Sequence, residues 1–294
     1  MTPASADPAS PVNQVLAPGK LVMVGEYAVV DGAPALVLAI DRGVRCEIRS
    51  TLGPLVIQTP DGDDRFVRPA LEGCTGHYDF HAWNPVALPG KPGFGGSAAA
   101  CVAACVAAGR AASDALAIHH AVQGSGSGVD VAAAIHGGMI RFEAGSATPV
   151  APVHPIIVYS GASAKTGPRV QRYRAWAARN RFIEQSTALV DAFHEDPVRV
   201  LAEAGALLAS MAEEAGLSYR TPGLDRIAML ARTHGGAAKP SGAGGGDCAV
   251  ALFHEPEAAL AFSAACAADG LPPIAARVAP GAHLAPAGPP PTVG

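Results

Sequence analysis

The apolar positions change their period several times along the chain, and each change marks an element. Residues 15–27 hold two short apolar runs on either side of Ala17-Pro18-Gly19, which predicts strand, turn, strand. Residues 34–40 are apolar throughout and predict another strand. From 43 to 50 the pattern alternates, with Val44, Cys46 and Ile48 against Arg45, Glu47 and Arg49, the period of a half-buried antiparallel strand. Residues 55–59 are expected to pair with it. Between 61 and 90 the pattern dissolves into a polar connection that carries Trp83 and Asn84. Residues 98–112, dominated by Ala, Val and Cys, predict a buried helix, and 113–122 a second helix capped by Ser113. A third runs from Asp130 to His136 and closes at Gly137-Gly138, before a short strand at 139–142.

The second half opens after residues 145–155, whose three prolines mark a domain boundary. A strand at 156–159 is followed by helices at 170–193, 197–215 and 221–234, a strand at 248–253, a helix at 256–268 and a strand at 274–278. Residues 286–294 are too proline-rich to pack, and 1–10 read as a flexible lead-in. Such an order predicts an α+β chain with one domain over 1–152 and a second over 153–294, the latter ending in a disordered tail.

Composition narrows the function. The chain has 294 residues and a formal net charge of -4 with no basic run, which argues against nucleic acid as partner. No apolar stretch is long enough for a bilayer, and the N-terminus lacks an export signal, so a cytoplasmic location without membrane attachment is expected. Six scattered cysteines read as buried free thiols. Cys101 and Cys105 share a helix face, but nothing nearby completes a metal site.

Three glycine-rich turns carry the chemistry. Gly93-Phe94-Gly95-Gly96-Ser97 opens the first buried helix, Gly124 to Gly128 opens the third, and Ser241-Gly242-Ala243-Gly244-Gly245-Gly246 leads into a strand. A glycine turn at a helix start gathers unpaired amides and the positive end of the dipole, which suits a phosphate. None has the Lys-Ser/Thr ending of a Walker A loop, nor the setting of a dinucleotide fingerprint or a nucleophile elbow. His119 and His120 are read as packed or solvated and are given no role.

Pro18-Gly19-Lys20 with Gly25-Glu26-Tyr27-Ala28-Val29, the 93–97 loop and the 241–246 turn together resemble the three motifs of the GHMP kinases, which phosphorylate small alcohols and phosphorylated alcohols. The match spans most of the chain in the right order. Gly-Glu-Tyr, the Lys91-to-Ala98 loop, and the segments from His119 to Ala134 and from Lys239 to Cys248 are most similar to the subgroup acting on phosphomevalonate. The loop departs from that subgroup in having Gly96 where a first serine is usual.

The resemblance implies a two-domain GHMP kinase fold, its N-terminal half like ribosomal protein S5 and its C-terminal half ferredoxin-like. It implies a cytoplasmic phosphotransferase using ATP and Mg²⁺, with 5-phosphomevalonate as acceptor in the mevalonate pathway to isoprenoid precursors. Mevalonate or another small alcohol is the alternative acceptor, and a catalytically silent metabolite sensor the alternative of another class. Lys20 and Asp130 would be catalytic. Lys91, Gly93, Gly95, Gly96, Ser97 and Ala98 would hold the nucleotide, with Ser97 on the metal. Tyr27, Ser127, Ser163, Lys165, Thr166, Arg169, Ser241, Gly242, Ala243 and Gly244 would hold the acceptor. A monomer or homodimer is expected. Phosphoryl transfer needs placement and charge neutralisation more than covalent help, so Asp130 is expected to orient the acceptor rather than act as a strong base.

Overall fold

The computed structural model describes residues 13–50, 52–124, 126–163 and 167–286, with only the backbone at 167 and 168. The 1–10 lead-in, Lys165, Thr166 and residues 287–294 lie outside the described residues.

Pro18-Gly19 does not break the first strand. β1 (Asn13–Val24) runs through it, with a register shift between Ala17 and Gly19 against β2 (Ala35–Arg49). Backbone approach explains why a glycine stands there: a Cβ on Gly19 would lie 2.1 Å from the Arg42 carbonyl oxygen. β2 is likewise one 15-residue strand where two were expected. After β3 (Val56–Gln58) the polar connection contains α1 (Arg68–Leu71) and β4 (His77–Ala82). β3 pairs in parallel with β4, not with β2 as expected, and β4 takes the place beside β2. Helices α2 (Gly96–Ala107), α3 (Asp114–Gln123) and α4 (Val129–His136) follow; Ser113 precedes α3 without a side-chain capping bond.

β5 (Met139–Glu143) and β6 (Ser146–Val150) form a hairpin, so part of the proline-bearing stretch is strand. Next come β7 (Ile156–Tyr159), α5 (Gly167–Ala175), α6 (Arg179–Ala192), α7 (Pro197–Glu214) and α8 (Pro222–Thr233). The single helix expected at 170–193 is thus two. β8 (Ala237–Pro240), unforeseen, precedes β9 (Cys248–Leu252), α9 (Pro256–Ala268), β10 (Pro273–Ile274) and β11 (His283–Ala285).

Two sheets result. The first has the order β11-β1-β2-β4-β3, with β5 and β6 continuing from the early half of β2. Its outermost strand, β11, comes from the far end of the sequence and pairs Ala285 with Gln14. The second has the order β10-β7-β9-β8. Alternation sets its two faces: Val158 faces α8 and α9, while Ile157 and Tyr159 join a core shared with the first sheet. That core holds Leu21, Met23, Leu36, Leu38 and Ile40 against Val190, Phe193, Val200 and Val250. Burial of each such side chain is worth ~1.5–3 kcal/mol, so exposing the first five alone would cost an amount comparable to the ~5–15 kcal/mol stability of a whole domain. The halves therefore meet as a packed core. With Leu21 and Met23 facing that core, the period of two turns Lys20 the other way, toward the glycine loops.

Candidate active site

Lys20 is fastened to the first glycine loop through its own backbone, its N–H donating to the Phe94 carbonyl at 2.9 Å. Gly95 then starts α2 in a left-handed conformation, φ 73°, which a side chain would oppose. A Cβ there would also come within 3.2 Å of Lys20 Cγ and 3.3 Å of Asp130 Oδ2. The loop backbone thus lies against both side chains at once. Asp130 sits in the first turn of α4, where the helix dipole favours its negative charge. Its Oδ1 is 3.7 Å from Lys20 Nζ, near enough to attract and too far for a good hydrogen bond. The Lys20 side chain is 10 % exposed and that of Asp130 38 %. Both keep hydrogen-bonding capacity toward a ligand.

Ser97, exposed in the first turn of α2, has its Oγ 3.2 Å from Nε2 of His119 on α3. His119 is buried and stacks on Phe66, ring centroids 4.9 Å apart at 29°. Desolvation lowers its pKa, with the Asp130 charge opposing and His120 reinforcing the shift. Lys20, Gly95, Asp130 and Ser97 are therefore gathered around the start of one helix.

The third glycine turn closes the other side. Ser241 Oγ accepts from the Val22 N–H at 2.9 Å, and the Tyr27 hydroxyl donates to the Ala243 carbonyl at 2.6 Å. Glu26 Oε1 accepts from Gly242 N at 3.3 Å and pairs with the wholly buried Lys239, whose ammonium also donates to the Pro240 carbonyl at 2.8 Å. Burial depresses the Lys239 pKa, and the Glu26 charge works against that. Burial also pushes the Tyr27 hydroxyl up, with Arg169 opposing. Glu26 and Lys239 were not foreseen; their only sequence signal is a charge inside each of two glycine-bearing motifs.

Comparison with known proteins follows the same lines. Residues 189–270 match the family model "GHMP kinases C terminal". The chain is 29 % identical to the phosphomevalonate kinase of Streptomyces sp. strain CL190, covering 81 % of this chain and 88 % of that one. It is 27 % identical to the mevalonate kinase of Thermococcus gammatolerans, covering 88 % and 94 %. The structure of Streptococcus pneumoniae phosphomevalonate kinase in complex with phosphomevalonate and AMPPNP superimposes with a TM-score of 0.73 at 18 % identity, over 92 % of this chain and all of that one. The chain is thus similar to GHMP kinases over most of its length, and residues 189–270 match their C-terminal domain.

The remaining expected site residues lie around the same loops. Gly93 lies against Asp247, whose Oδ2 would be 2.6 Å from an added Cβ. Asp247 also donates its N–H to the Ala162 carbonyl at 2.7 Å, tying the first loop to the turn after β7. Gly96 has open space beside it. Ala98 is buried, its N–H bonded to the Gly95 carbonyl at 3.1 Å. Ser127 Oγ accepts from Val129 N at 3.3 Å at the start of α4. Gly244 is pressed on the Tyr219 ring, and Arg169 Nη2 donates to the Ser218 carbonyl at 3.3 Å beside Gly245. Ser163 Oγ donates to the Lys91 carbonyl at 3.1 Å, while the Lys91 side chain, 89 % exposed, pairs with Asp61 at 3.6 Å.

Among the described residues no cluster of three or more His, Cys, Asp or Glu could hold a metal by itself. The donors present still fit Mg²⁺, which is commonly held by one or two protein oxygens together with substrate phosphates. Ser97 Oγ and the Asp130 carboxylate are such oxygens. No helix among the described residues is long and apolar enough to cross a membrane.

Proposed function

We propose that this phosphotransferase moves the γ-phosphoryl group of ATP to 5-phosphomevalonate, giving 5-diphosphomevalonate and ADP. The observation that carries the transfer is the Lys20–Asp130 pair at 3.7 Å with the Gly95 backbone against both side chains. Around it, the start of α2 offers the amides of Gly96 and Ser97, which precede the first intrahelical bond, to the nucleotide phosphates. Bound Mg²⁺ supplies positive charge toward the phosphate oxygens, with Ser97 Oγ as its protein ligand. Lys20 neutralises charge on the transferred group, and Asp130 orients the acceptor hydroxyl. Placement and charge of this kind account for most of phosphoryl-transfer catalysis.

The acceptor lies on the side of the third turn, among Tyr27, Ser241, Gly242 and Ala243. Two observations favour a phosphorylated acceptor. Arg169 stands beside that turn and acts electrostatically on Tyr27, so a second positive charge lies near the turn besides Lys20. The Streptomyces relative is also named for that substrate. Coupled ADP release, with mevalonate and 5-phosphomevalonate offered separately, tests the reading. Turnover only with 5-phosphomevalonate is expected. Turnover only with mevalonate would make it a mevalonate kinase, the name borne by the Thermococcus relative. ADP formation with neither acceptor, despite ligand binding, would reduce it to a sensor.

A further inference from the structure

An exposed serine hydroxyl at a helix start ordinarily rotates among its staggered positions. The Ser97 hydroxyl has a fixed neighbour instead, His119 Nε2 at 3.2 Å. His119 is held on several sides. Its ring lies on Phe66 at 4.9 Å, its backbone belongs to α3, and only 8 % of its surface is open to solvent. The charged and titratable neighbours are Asp130 from α4 and the adjacent His120; Cys101 of α2 lies close by. A hydroxyl has one proton to give and two lone pairs. If Ser97 Oγ is to face a cation with its lone pairs, its proton needs an acceptor on the protein side. His119 Nε2 is the acceptor within reach.

We propose that His119 is a positioning residue for nucleotide binding: it accepts a hydrogen bond from the Ser97 hydroxyl and so leaves the Oγ lone pairs turned toward the metal that accompanies the phosphates. The proposal rests on the reading of Ser97 as the metal-side hydroxyl. Phe66 has its part as the platform that keeps the imidazole from turning. A histidine that merely fills space between α2 and α3 would be replaceable by any flat ring. One that accepts a proton would not.

Two substitutions separate these roles. His119→Phe keeps a ring for Phe66 to stack on and removes the acceptor; His119→Gln removes the ring and places an amide oxygen near the former Nε2. Binding of a fluorescent ATP analogue is titrated with and without Mg²⁺, and thermal unfolding is followed in parallel. Removing the partner of a metal ligand typically weakens metal affinity by ~10–100-fold. His119→Phe is therefore expected to weaken Mg²⁺-dependent binding by about tenfold, with Mg²⁺-free binding unchanged and His119→Gln recovering most of the loss. Ser97→Ala should show the same loss, and adding His119→Phe to it should cost nothing more. Wild-type Mg²⁺ dependence in His119→Phe, or equal damage from Phe and Gln, would overturn the proposal. Should His119→Phe fail to fold, the cycle of Ser97→Ala with His119→Leu, which also lacks the acceptor, decides, and strictly additive effects there would overturn it. Failure of the parent reading looks different: the unaltered protein would bind the nucleotide no better with Mg²⁺ than without, and both would fall together.

Discussion

Two lysine–carboxylate pairs stand at the two ends of the same loop system, and they are built in opposite ways. Lys20 and Asp130 are 3.7 Å apart, with Asp130 more than a third exposed. Lys239 and Glu26 are in direct contact, their side chains 0 % and 3 % exposed, with Gly242 N donating to Glu26 Oε1 and the Pro240 carbonyl accepting from Lys239, while the buried Glu26 Oε2 has no hydrogen-bond partner among the described residues. The open pair leaves its charges incompletely matched and available to a ligand. The closed pair has spent its charges on holding the third glycine turn to the residues after β1. Charge burial explains the difference: an ion pair withdrawn from water must be well bonded to persist, and once so bonded it has little left for chemistry. A lysine in a motif is thus no guide to its role until the burial and bonding of its partner carboxylate are known.

The contrast can be broken at either end. The largest effect on stability is expected from Lys239→Met, which strands the Glu26 carboxylate. Removing one partner of a buried pair costs ~3–5 kcal/mol. Thermal or urea unfolding should show that loss, and adding Glu26→Leu should recover much of it. Asp130→Asn and Lys20→Ala should instead leave unfolding nearly unchanged and each lower kcat by at least ~10²-fold, read by ADP release. Near-normal turnover in both would falsify their assigned roles. Ser241→Ala orphans the buried Val22 N–H, which costs ~1–3 kcal/mol and is measurable by urea unfolding. The smallest change belongs to Lys91→Ala. Its exposed pairing with Asp61 makes a shift in the KM for ATP of no more than about fivefold the expected outcome; a larger one would mean that the lysine leaves Asp61 for the nucleotide.

The sequence made some of this legible and hid the rest for physical reasons. Helices α2, α4 and α9 announce themselves because their apolar residues sit between glycine or proline boundaries that nothing distant overrides. β4 buries Tyr78 and Phe80 on one face, but the charged Asp79 between them is buried too, and the short length of the strand among Gly and Asp residues conceals it. Pro18-Gly19 resembles a turn, and only the closeness of the β2 backbone at Arg42 shows why strand continues through it. Lys20 and Asp130 could be linked because each lies in a motif. Glu26 and Lys239 lie in motifs too, yet a separation of 213 residues holds no hint that one carboxylate oxygen would bind both an ammonium and a glycine amide. For His119 the sequence left packed and solvated readings open; that its Nε2 meets Ser97 depends on the packing of α3 on α2, which local pattern does not encode.

The strand that bears Lys20 takes its outer neighbour from the far end of the chain, where β11 lies beside β1 and Gln14 reaches the Pro286 carbonyl across 272 residues. On the ribosome, then, the lysine strand emerges well before β11 and waits with one rim of backbone unzipped. A nascent chain that stalls or is clipped before His283 presents that bare rim to whatever extended peptide passes, which makes the closing three-residue strand a late guard against misassembly.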